Sequence, residues 1–333
     1  MVDMRRRDFI TLIGGAVASS PLWPLSARSE HAAMPVIGFL YPGVPELSAG
    51  IVAAFRKGLG ETGFAEGRNV AVEFRFAYND NARLSELAAD LVRRRVAVIA
   101  TPGSTPSALA AKGATTAIPI VFSIGTDPVE VGLVASFNRP GGNVTGISSL
   151  NSELAAKRLG LLHELLPNAV CFAVLVNPNN PNADTLARDA KAAGLVIGRE
   201  IEILASGTTR DIDAAFASSV QKRADALLVS PDPLLDNRRV QIITLATHHR
   251  LPTIYSFRES VEIGGLMSYG SSAEDRDRLV GIYTGRILKG EKPAELPVMR
   301  ATKFEFVVNL QTARVLGLDI PATLLARADE VIE

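Results

Sequence analysis

The sequence predicts an α/β protein made of two doubly wound, parallel-sheet lobes around a cleft, joined by several hinge strands. Short apolar runs alternate with amphipathic helical segments along almost the whole chain, which is typical of parallel sheets covered by helices on both faces. The connections between these segments are short. The alternation restarts after residues 138–149, a segment rich in glycine, proline and asparagine, so the chain reads as two similar halves. A single large sheet is the alternative.

The first half alternates strands with helices. Residues 69–78 alternate apolar and polar side chains with a period of two, as a half-buried strand does. Residues 81–95 place leucines at helical spacing on one face. The predicted strands are 34–43, 69–78, 96–100 and 118–125, and the predicted helices are 48–63, 81–95 and 106–115.

The second half repeats the pattern and ends with segments that return to the first lobe. Helices are predicted near 152–166, 182–193, 210–222 and 236–248, and strands at 169–178, near 195–203, 224–233, 251–257 and 264–270. A helix at 273–289 and an extended segment at 295–299 are expected to cross back and return. We therefore expect one lobe to comprise 34–146 plus 272–293, and the other 147–271 plus 294–333.

The composition excludes several classes of function. The 333 residues include 35 Lys and Arg against 35 Asp and Glu, and a nucleic-acid-binding protein usually has a basic excess. The one cysteine, Cys171, lies within an apolar strand, so neither a disulfide within the chain nor a cysteine-based metal cluster is possible. We expect no nucleic-acid partner, no metal and no cofactor.

Residues 1–33 are predicted to form an export signal and a short linker outside the fold. Arg5–Arg7 precede an apolar stretch from Phe9 to Ala18, which is too short and too rich in glycine to span a membrane. The run Arg6-Arg7-Asp8-Phe9-Ile10 resembles the twin-arginine motif, with cleavage expected after Ala27. A disordered tail or a mitochondrial-type amphipathic helix is the alternative. An export signal predicts a periplasmic protein.

The loops after the predicted strands are expected to line the cleft, because ligands bind at the carboxyl ends of strands in such sheets. These loops carry hydroxyls, amides, carboxylates and tyrosines, which suit a polar ligand. The candidate ligand-binding residues are Tyr41, Gly103, Ser104, Thr105, Thr126, Asp127, Asn177, Asn182, Asp232 and Tyr269.

Several of these candidates have a second interpretation as helix caps or turn residues. Ser104 and Thr105 begin a helix, where free N–H groups and the helix dipole favour an anion such as a carboxylate. Either hydroxyl can instead cap the helix that it begins. Asp127 is a candidate for a ligand ammonium, but it precedes a proline at a helix start, and Asn182 and Asp232 also occupy cap or turn positions.

The sequence carries no recognisable catalytic machinery. No nucleotide-binding glycine motif follows a strand, and the four histidines form no H-E-x-x-H motif. Cys171 is surrounded by apolar residues, which indicates a buried structural thiol rather than a nucleophile. The sequence therefore favours a binding protein over an enzyme.

Several stretches together resemble a known family, the ABC transporter substrate-binding proteins of the tryptophan/tyrosine-binding type. They include "TPGSTPSA", "IPIVFSIGTDPVEVGLVASFNRPGGNVTG", "GGLMSYG" and "FEFVVNLQTARVLGLDIPATLLARADEVI", and the resemblance runs from about Met34 to the end. It implies a type I periplasmic binding protein, a monomer that closes on a small solute and delivers it to an ABC permease in the inner membrane. A sensory binding protein for a membrane receptor is the alternative, and an exported enzyme on the same fold is a weaker one.

The resemblance also implies roles for individual residues. Ser104 and Thr105 match the helix start that takes the ligand carboxylate, Thr126 and Asp127 match a Thr-Asp-Pro loop, and Asn177 and Asn182 match an asparagine-rich loop of the second lobe. Two stretches depart from the amino-acid-binding members. Ser-Pro-Asp-Pro stands at 230–233 in place of Thr-Asp-Asn, and Ser-Ser-Ala at 271–273 in place of Asp-Tyr-Tyr. The expected ligand is therefore a small carboxylate-bearing or amino-acid-like solute.

Overall fold

The computed structural model describes residues 34–333, so the export signal predicted within residues 1–33 lies outside the described residues. None of the helices in the described part is long and apolar enough to cross a membrane. The strands are β1 (Val36–Tyr41), β2 (Ala71–Phe76), β3 (Val98–Thr101), β4 (Ile120–Ile124), β5 (Val144–Ser148), β6 (Cys171–Val176), β7 (Glu200–Ala205), β8 (Ala226–Val229), β9 (Thr253–Tyr255), β10 (Met267–Ser271), β11 (Met299–Arg300), β12 (Phe304–Asn309) and β13 (Glu330–Ile332).

Helices connect most of these strands. They are α1 (Ala49–Glu61), α2 (Leu84–Arg93), α3 (Thr105–Ala114), α4 (Ala155–Leu165), α5 (Ala183–Ile197), α6 (Thr209–Gln221), α7 (Pro233–Asn237), α8 (Arg239–His248), α9 (Arg258–Glu262), α10 (Ala273–Leu288), α11 (Leu310–Leu316) and α12 (Ala322–Leu325). Short 3₁₀ turns occur at Pro45–Leu47, Asn81–Arg83, Asn151–Leu154 and Pro293–Glu295.

The strands form two sheets, as predicted, and the single-sheet alternative is wrong. The first sheet has the order β11-β5-β4-β3-β1-β2 and the second the order β13-β12-β10-β9-β8-β6-β7. The pairing of β10 with β12 is antiparallel, and the other strand pairings are parallel. We call each sheet with the helices that cover it a lobe, the first lobe containing β1 and the second containing β6.

Each sheet is buried on both faces because successive side chains of a strand point to opposite sides. In β1, Phe39 belongs to a core cluster on one face of the sheet, and Leu40 belongs to a cluster on the other. In β6, Phe172 and Leu175 are divided between two clusters in the same way. The continuous apolar runs of the sequence are therefore the central strands of doubly wound sheets.

The segment at 138–149 differs from its sequence interpretation as a link, because it contains strand β5. Its glycines and asparagine suggest a turn, yet Gly146 lies so close to β4 that a Cβ there would be 2.1 Å from the Phe122 carbonyl oxygen. The glycine thus permits the strand to pair. Two boundaries also differ: α5 continues to Ile197, so that β7 begins only at Glu200, and the helix predicted at 236–248 is divided into α7 and α8.

Helix α10 packs against α1 in the first lobe, as predicted for a segment that crosses back. The two helices approach closely at glycines. A Cβ on Gly58 would lie 1.8 Å from the Arg278 carbonyl oxygen, and one on Gly281 would lie 2.1 Å from the Phe55 carbonyl oxygen. This close packing holds the first turns of α10 beside the carboxyl ends of the first sheet.

The chain crosses between the lobes three times, after β5, after β10 and after β11. The first and third crossings run side by side, because β11 pairs with β5 and Ala301 N–H donates to the Ser148 carbonyl (2.9 Å). Strands β5 and β11 both belong to the first sheet. The lobe boundaries 34–146 plus 272–293 and 147–271 plus 294–333 stay a prediction.

The first two crossings are tied together by Arg158, which is completely buried. Its guanidinium donates to the carbonyl of Asn151 (2.9 Å), to Asn151 Oδ1 (3.0 Å) and to the carbonyl of Tyr269 (2.7 Å). Asn151 Oδ1 also accepts from Ser271 N–H (3.2 Å). Burial lowers the pKa of Arg158 to about 9, so the side chain keeps its charge at neutral pH.

We expect Arg158→Lys to lower the free energy of unfolding by about 2–4 kcal/mol, because one ammonium cannot reach three acceptors arranged around a planar guanidinium. Urea denaturation of the purified protein measures this loss. Arg188→Lys is the control, since Arg188 is 71% exposed on α5 and its replacement should change stability by less than about 0.5 kcal/mol. Equal effects of the two substitutions would contradict the structural role of Arg158.

Candidate functional site

A cavity of about 790 Å³ lies between the two lobes. Its first-lobe wall comes from α1, from the start of α10 and from the loops after β1, β3 and β4, and its second-lobe wall from the loops after β6, β8 and β9. The cleft predicted from the fold is therefore present. Five of the ten candidate residues line it: Tyr41, Gly103, Thr105, Asn182 and Asp232. The other five, which are Ser104, Thr126, Asp127, Asn177 and Tyr269, are not part of its wall.

The loop between β3 and α3 uses most of its own hydrogen-bonding groups. Gly103 N–H donates to Ser123 Oγ (2.7 Å), and Ser104 N–H donates to the Ser123 carbonyl (3.1 Å). The Ser104 hydroxyl accepts from Ser107 N–H (3.1 Å), so Ser104 caps α3. Thr105 N–H makes no hydrogen bond with the described residues, which leaves it available to a ligand.

Thr105 presents an N–H and a hydroxyl at the positive end of α3. Its Oγ1 lies 3.5 Å from Thr126 Oγ1, and Thr126 lies directly behind the wall, where its carbonyl accepts from Ser148 Oγ (2.7 Å). The dipole of a ten-residue helix favours negative charge at this end. Capping and ligand binding, the two interpretations of the helix start, therefore apply to different residues. Ser104 caps α3, and Thr105 faces the cavity.

A buried ion pair on α10 lines the same part of the cavity, and the sequence analysis missed it. Arg276 Nε and Nη2 lie 3.0 and 3.1 Å from the two carboxylate oxygens of Asp277. A Cβ on Gly103, which has a φ of +63°, would lie 3.1 Å from Arg276 Nη2. The guanidinium carbon also lies 5.3 Å from the centre of the Phe257 ring. Arg276 Nη1 donates to none of the described residues.

The sequence contains a signal for this pair. Arg276 and Asp277 fall at helical spacing with the buried residues Val280, Tyr283 and Ile287, so two charged side chains lie on the buried face of α10. Charged residues on such a face need partners or a functional role. The candidates predicted from the sequence lie at or after the ends of strands, so Arg276 and Asp277 on α10 are not among them.

The carboxylate of Asp232 is fully used within the second lobe. Its Oδ1 accepts from Asn177 Nδ2 (3.0 Å) and from Leu234 N–H (2.8 Å), and its Oδ2 accepts from Asn180 Nδ2 (2.9 Å). Asp232 is thus the N-cap of α7 and the centre of an amide network. Asn177 belongs to that network and lines a second, smaller cavity of about 400 Å³.

Two other predicted residues face the main cavity with unused polar groups. The side-chain amide of Asn182, before α5, makes no hydrogen bond with the described residues, and neither does the hydroxyl of Tyr41. Burial, reinforced by the nearby carboxylates of Asp236 and Asp277, raises the pKa of Tyr41, so its hydroxyl stays protonated. Both groups remain free to contact a ligand.

Asp127 and Tyr269 have structural contacts outside the cavity. Asp127 Oδ1 accepts from Val129 N–H (2.7 Å) and Glu130 N–H (3.3 Å), which is the turn interpretation left open from the sequence. Tyr269 packs against the core of the second lobe, with its ring 6.3 Å from that of Phe304.

Asp236 is a second wall residue that the sequence analysis missed. It lies on α7, four residues after Asp232 and hence on the same helical face. Its half-buried carboxylate makes no hydrogen bond and no ion pair with the described residues. Burial, with a contribution from the charge of Asp232, raises the pKa of Asp236 to about 8.

The polar groups that the chain leaves unsatisfied define what the cavity can bind. Donors include Thr105 and Arg276 in the first lobe and Asn182 and Arg239 in the second, and the carboxyl groups without a partner among the described residues include Asp236 and Glu259. Among residues 34–333 no group of histidine, cysteine, aspartate or glutamate side chains is arranged to hold a metal ion. The arrangement suits a polar organic molecule with an anionic and a cationic group.

A family model and a similar protein both relate this chain to substrate-binding proteins. The family model for the ABC transporter substrate binding protein matches residues 45–332. A tyrosine-binding protein from Clostridioides difficile (strain R20291) is 32% identical over 270 residues, which cover 79% of this chain and 75% of that protein.

Two solved structures are similar over 90% of this chain and 99% of their own. The ABC domain in complex with L-Trp from Streptococcus pneumonia has 28% identity and a TM-score of 0.81. The ligand-free, open structure of a Clostridium difficile substrate binding protein with adhesive properties has 27% identity and a TM-score of 0.62. The structure described as ligand-free and open has the lower TM-score of the two.

Two contacts connect the two lobes. Asn237 Nδ2 on α7 donates to Asn79 Oδ1 in the first lobe (3.0 Å). The second contact is that of the Arg276 guanidinium on the Phe257 ring. Both contacts lie beside the cavity, so separation of its two walls would break them.

We expect Asp236→Asn to stabilise the ligand-free protein at alkaline pH. The folded-state pKa of about 8 lies above the ordinary carboxyl value of roughly 4, so the contribution of Asp236 to stability is fully present below pH 4 and is lost as the pH rises through 8. The variant should therefore equal the parent near pH 4 and exceed it at pH 9 by about 1–2 kcal/mol, which is less than the roughly 5 kcal/mol of the whole pKa difference because solvent reaches the half-buried carboxylate.

Urea denaturation of refolded, ligand-free protein between pH 4 and 9 measures this difference. Asp213→Asn is the control, because Asp213 lies on the exposed face of α6 in the same lobe. A difference between Asp236→Asn and the parent that does not change with pH would contradict the raised pKa.

Proposed function

This chain belongs to the family of ABC transporter substrate-binding proteins, and from that premise we propose that it captures a small, amino-acid-like carboxylate between its lobes in the periplasm. The closed lobes then deliver this solute to a permease of the inner membrane. The chain is a binding protein rather than an enzyme. The periplasmic location rests on the export signal proposed for residues 1–33, with its twin arginines Arg6 and Arg7.

The observation that carries the proposal is the cavity of about 790 Å³ between the lobes, with unsatisfied polar groups on both walls. This volume lies within the range of small-molecule sites, which is roughly 300–1,000 Å³. A ligand that touches both walls binds the closed form more tightly than the open form and shifts the population toward it. Closure then signals occupancy to the permease.

We assign the ligand carboxylate to the start of α3. Thr105 supplies a backbone N–H and a hydroxyl there, and the Nη1 group of Arg276 supplies a charge-assisted donor beside them. The helix dipole adds to this attraction. Asn182 and Tyr41 are assigned to further polar contacts with the solute.

Aromatic surface on the wall supports an aromatic amino acid as the solute. Phe257 and Tyr41 both line the cavity, one from each lobe. The similar proteins agree with this choice, since one is a tyrosine-binding protein and another was solved with L-Trp. We propose an aromatic amino acid as the first class to test.

A thermal-shift screen tests the proposed ligand class. Protein purified from the periplasm is refolded to remove any bound solute and is then heated with L-tryptophan, L-tyrosine, aliphatic amino acids or sugars. A ligand of the native state at 100 times its Kd stabilises by about 2.7 kcal/mol, which raises Tm by several degrees. We expect this rise with an aromatic amino acid. A rise with sugars alone would contradict the proposal.

Ser104→Ala and Thr105→Ala should separate capping from binding. Ser104→Ala removes the cap of α3 and should cost about 1 kcal/mol of stability with less than a twofold change in Kd. Thr105→Ala removes one hydroxyl contact to a charged ligand and should raise Kd about 10-fold with little loss of stability. Calorimetric titration and thermal denaturation of both variants measure the two effects. Equal Kd values for the parent and Thr105→Ala would contradict the carboxylate assignment.

A further inference from the structure

The charged side chains on the cavity wall are mostly paired with one another. Cations from both lobes neutralise neighbouring carboxylates, which leaves few charges for a ligand. The pairs are Lys57–Glu274, Arg258–Glu262, Arg258–Glu305, Lys303–Glu305 and Arg276–Asp277. The described wall carboxylates that form no ion pair are those of Asp232, Asp236 and Glu259, and the described wall cation that forms none is Arg239, whose Nη1 donates to the Asp236 carbonyl (2.9 Å).

These three carboxylates differ in what surrounds them. Asp232 is satisfied by amide and backbone donors, as described above. Glu259 has one oxygen, Oε2, that is buried without a partner, so only its other oxygen is exposed toward the cavity. Asp236 combines access to the cavity with a carboxyl group that makes no hydrogen bond and no ion pair with the described residues. Its carboxyl group is therefore available to a ligand as an acceptor.

The position of α7 places Asp236 where the lobes meet. Asn237, the next residue, donates to Asn79 of the first lobe, and a Cβ on Gly43 of that lobe would lie 2.4 Å from Asn237 Nδ2. Asp236 therefore comes close to the first lobe when the cleft closes. Closure removes water from its carboxylate, which costs free energy unless a donor replaces that water.

We infer that Asp236 receives a protonated amine of the solute, so that the chain selects zwitterions over carboxylates that lack an amine. This inference rests on the proposed function and identifies the residue that contacts the ammonium group of the ligand. The solute carboxylate lies at Thr105 and Arg276 in the first lobe, and its ammonium lies at Asp236 in the second. A protonated amine supplies up to three donors to the carboxylate and neutralises its charge, which removes the cost of closing the cleft.

The protonation state of Asp236 gives a second readout. Asp232 and Glu259 raise the pKa of its carboxyl, Arg239 and Arg276 lower it, and Arg158 and Tyr41 also interact with it. Below pH 8 the ligand-free carboxyl is mostly protonated, and a bound ammonium favours the ionised form. Binding of an amine should therefore release part of a proton at pH 7, and none in Asp236→Asn.

Calorimetric titration with matched pairs of ligands tests the inference. The pairs are L-tryptophan with indole-3-propionate and L-tyrosine with 3-(4-hydroxyphenyl)propionate, and each pair differs only in the amine. For the pair that binds, we expect the parent to prefer the amino acid by at least 100-fold. Asp236→Asn should reduce this preference to less than about 5-fold, chiefly by weakening the amino acid. Asp213→Asn, with the same change of charge on the exposed face of α6, should keep the parent's preference.

The outcomes distinguish this inference from the proposed function. If the parent binds an amino acid and Asp236→Asn keeps both the preference and the proton release, the inference is wrong and the proposed function stands. Equal binding of both members of a pair by the parent also overturns the inference and leaves the proposed function standing. If the parent binds none of the four compounds, the proposed ligand class is wrong and the inference fails with it. Thermal denaturation of Asp236→Asn verifies that the variant is folded.

Discussion

The buried guanidinium of Arg158 is the contact on which the arrangement of the two lobes depends. It lies in the second lobe without a carboxylate partner, and its charge is balanced by the carbonyl and amide oxygens of Asn151 and the carbonyl of Tyr269. These acceptors belong to the first and second crossings between the lobes. The third crossing is held beside the first by the pairing of β11 with β5. Hinge motion is therefore confined to a bundle of three segments with a fixed internal geometry.

The polar residues around the cleft fall into two groups, those that cap helices and those that keep groups without a partner. Ser104 and Asp232 cap helices, and their hydrogen bonds are satisfied within one lobe. Thr105 and Asp236, which lie one and four residues further along the same helices, keep groups that the chain does not satisfy. Ser104 and Asp232 accept hydrogen bonds from backbone N–H groups of their own helices, so the groups left for a ligand come from Thr105 and Asp236. In both lobes the capping residue thus lies close to the residue that we propose as a ligand contact.

Unsatisfied groups in a cleft cost stability, and a binding protein recovers that cost when the solute arrives. The unpaired Asp236 carboxylate and the free donors of Thr105 and Arg276 oppose closure in the absence of ligand, because closing removes their water. A solute that satisfies both walls makes the closed state favourable. Closure is therefore unfavourable in the empty protein and becomes favourable when a solute satisfies these polar groups.

The sequence alone determined the class of fold, most strands and helices, and the cleft at the strand ends, because these follow from apolar periodicity and from residues close together in the chain. Its resemblance to the substrate-binding family was confirmed over residues 45–332. The sequence did not reveal β5, since the close approach of Gly146 to Phe122 is a property of the assembled sheet. Nor did it show which polar side chains are free to bind. Whether a polar side chain is free depends on hydrogen-bond partners that are distant in the chain. Ser123, for example, donates to Asp277, which lies 154 residues away in the sequence. Hydrogen bonds of this kind exist only once the lobes have folded, so only the tertiary structure decided that Thr105, Arg276 and Asp236 face the cavity while Ser104 and Asp232 support it.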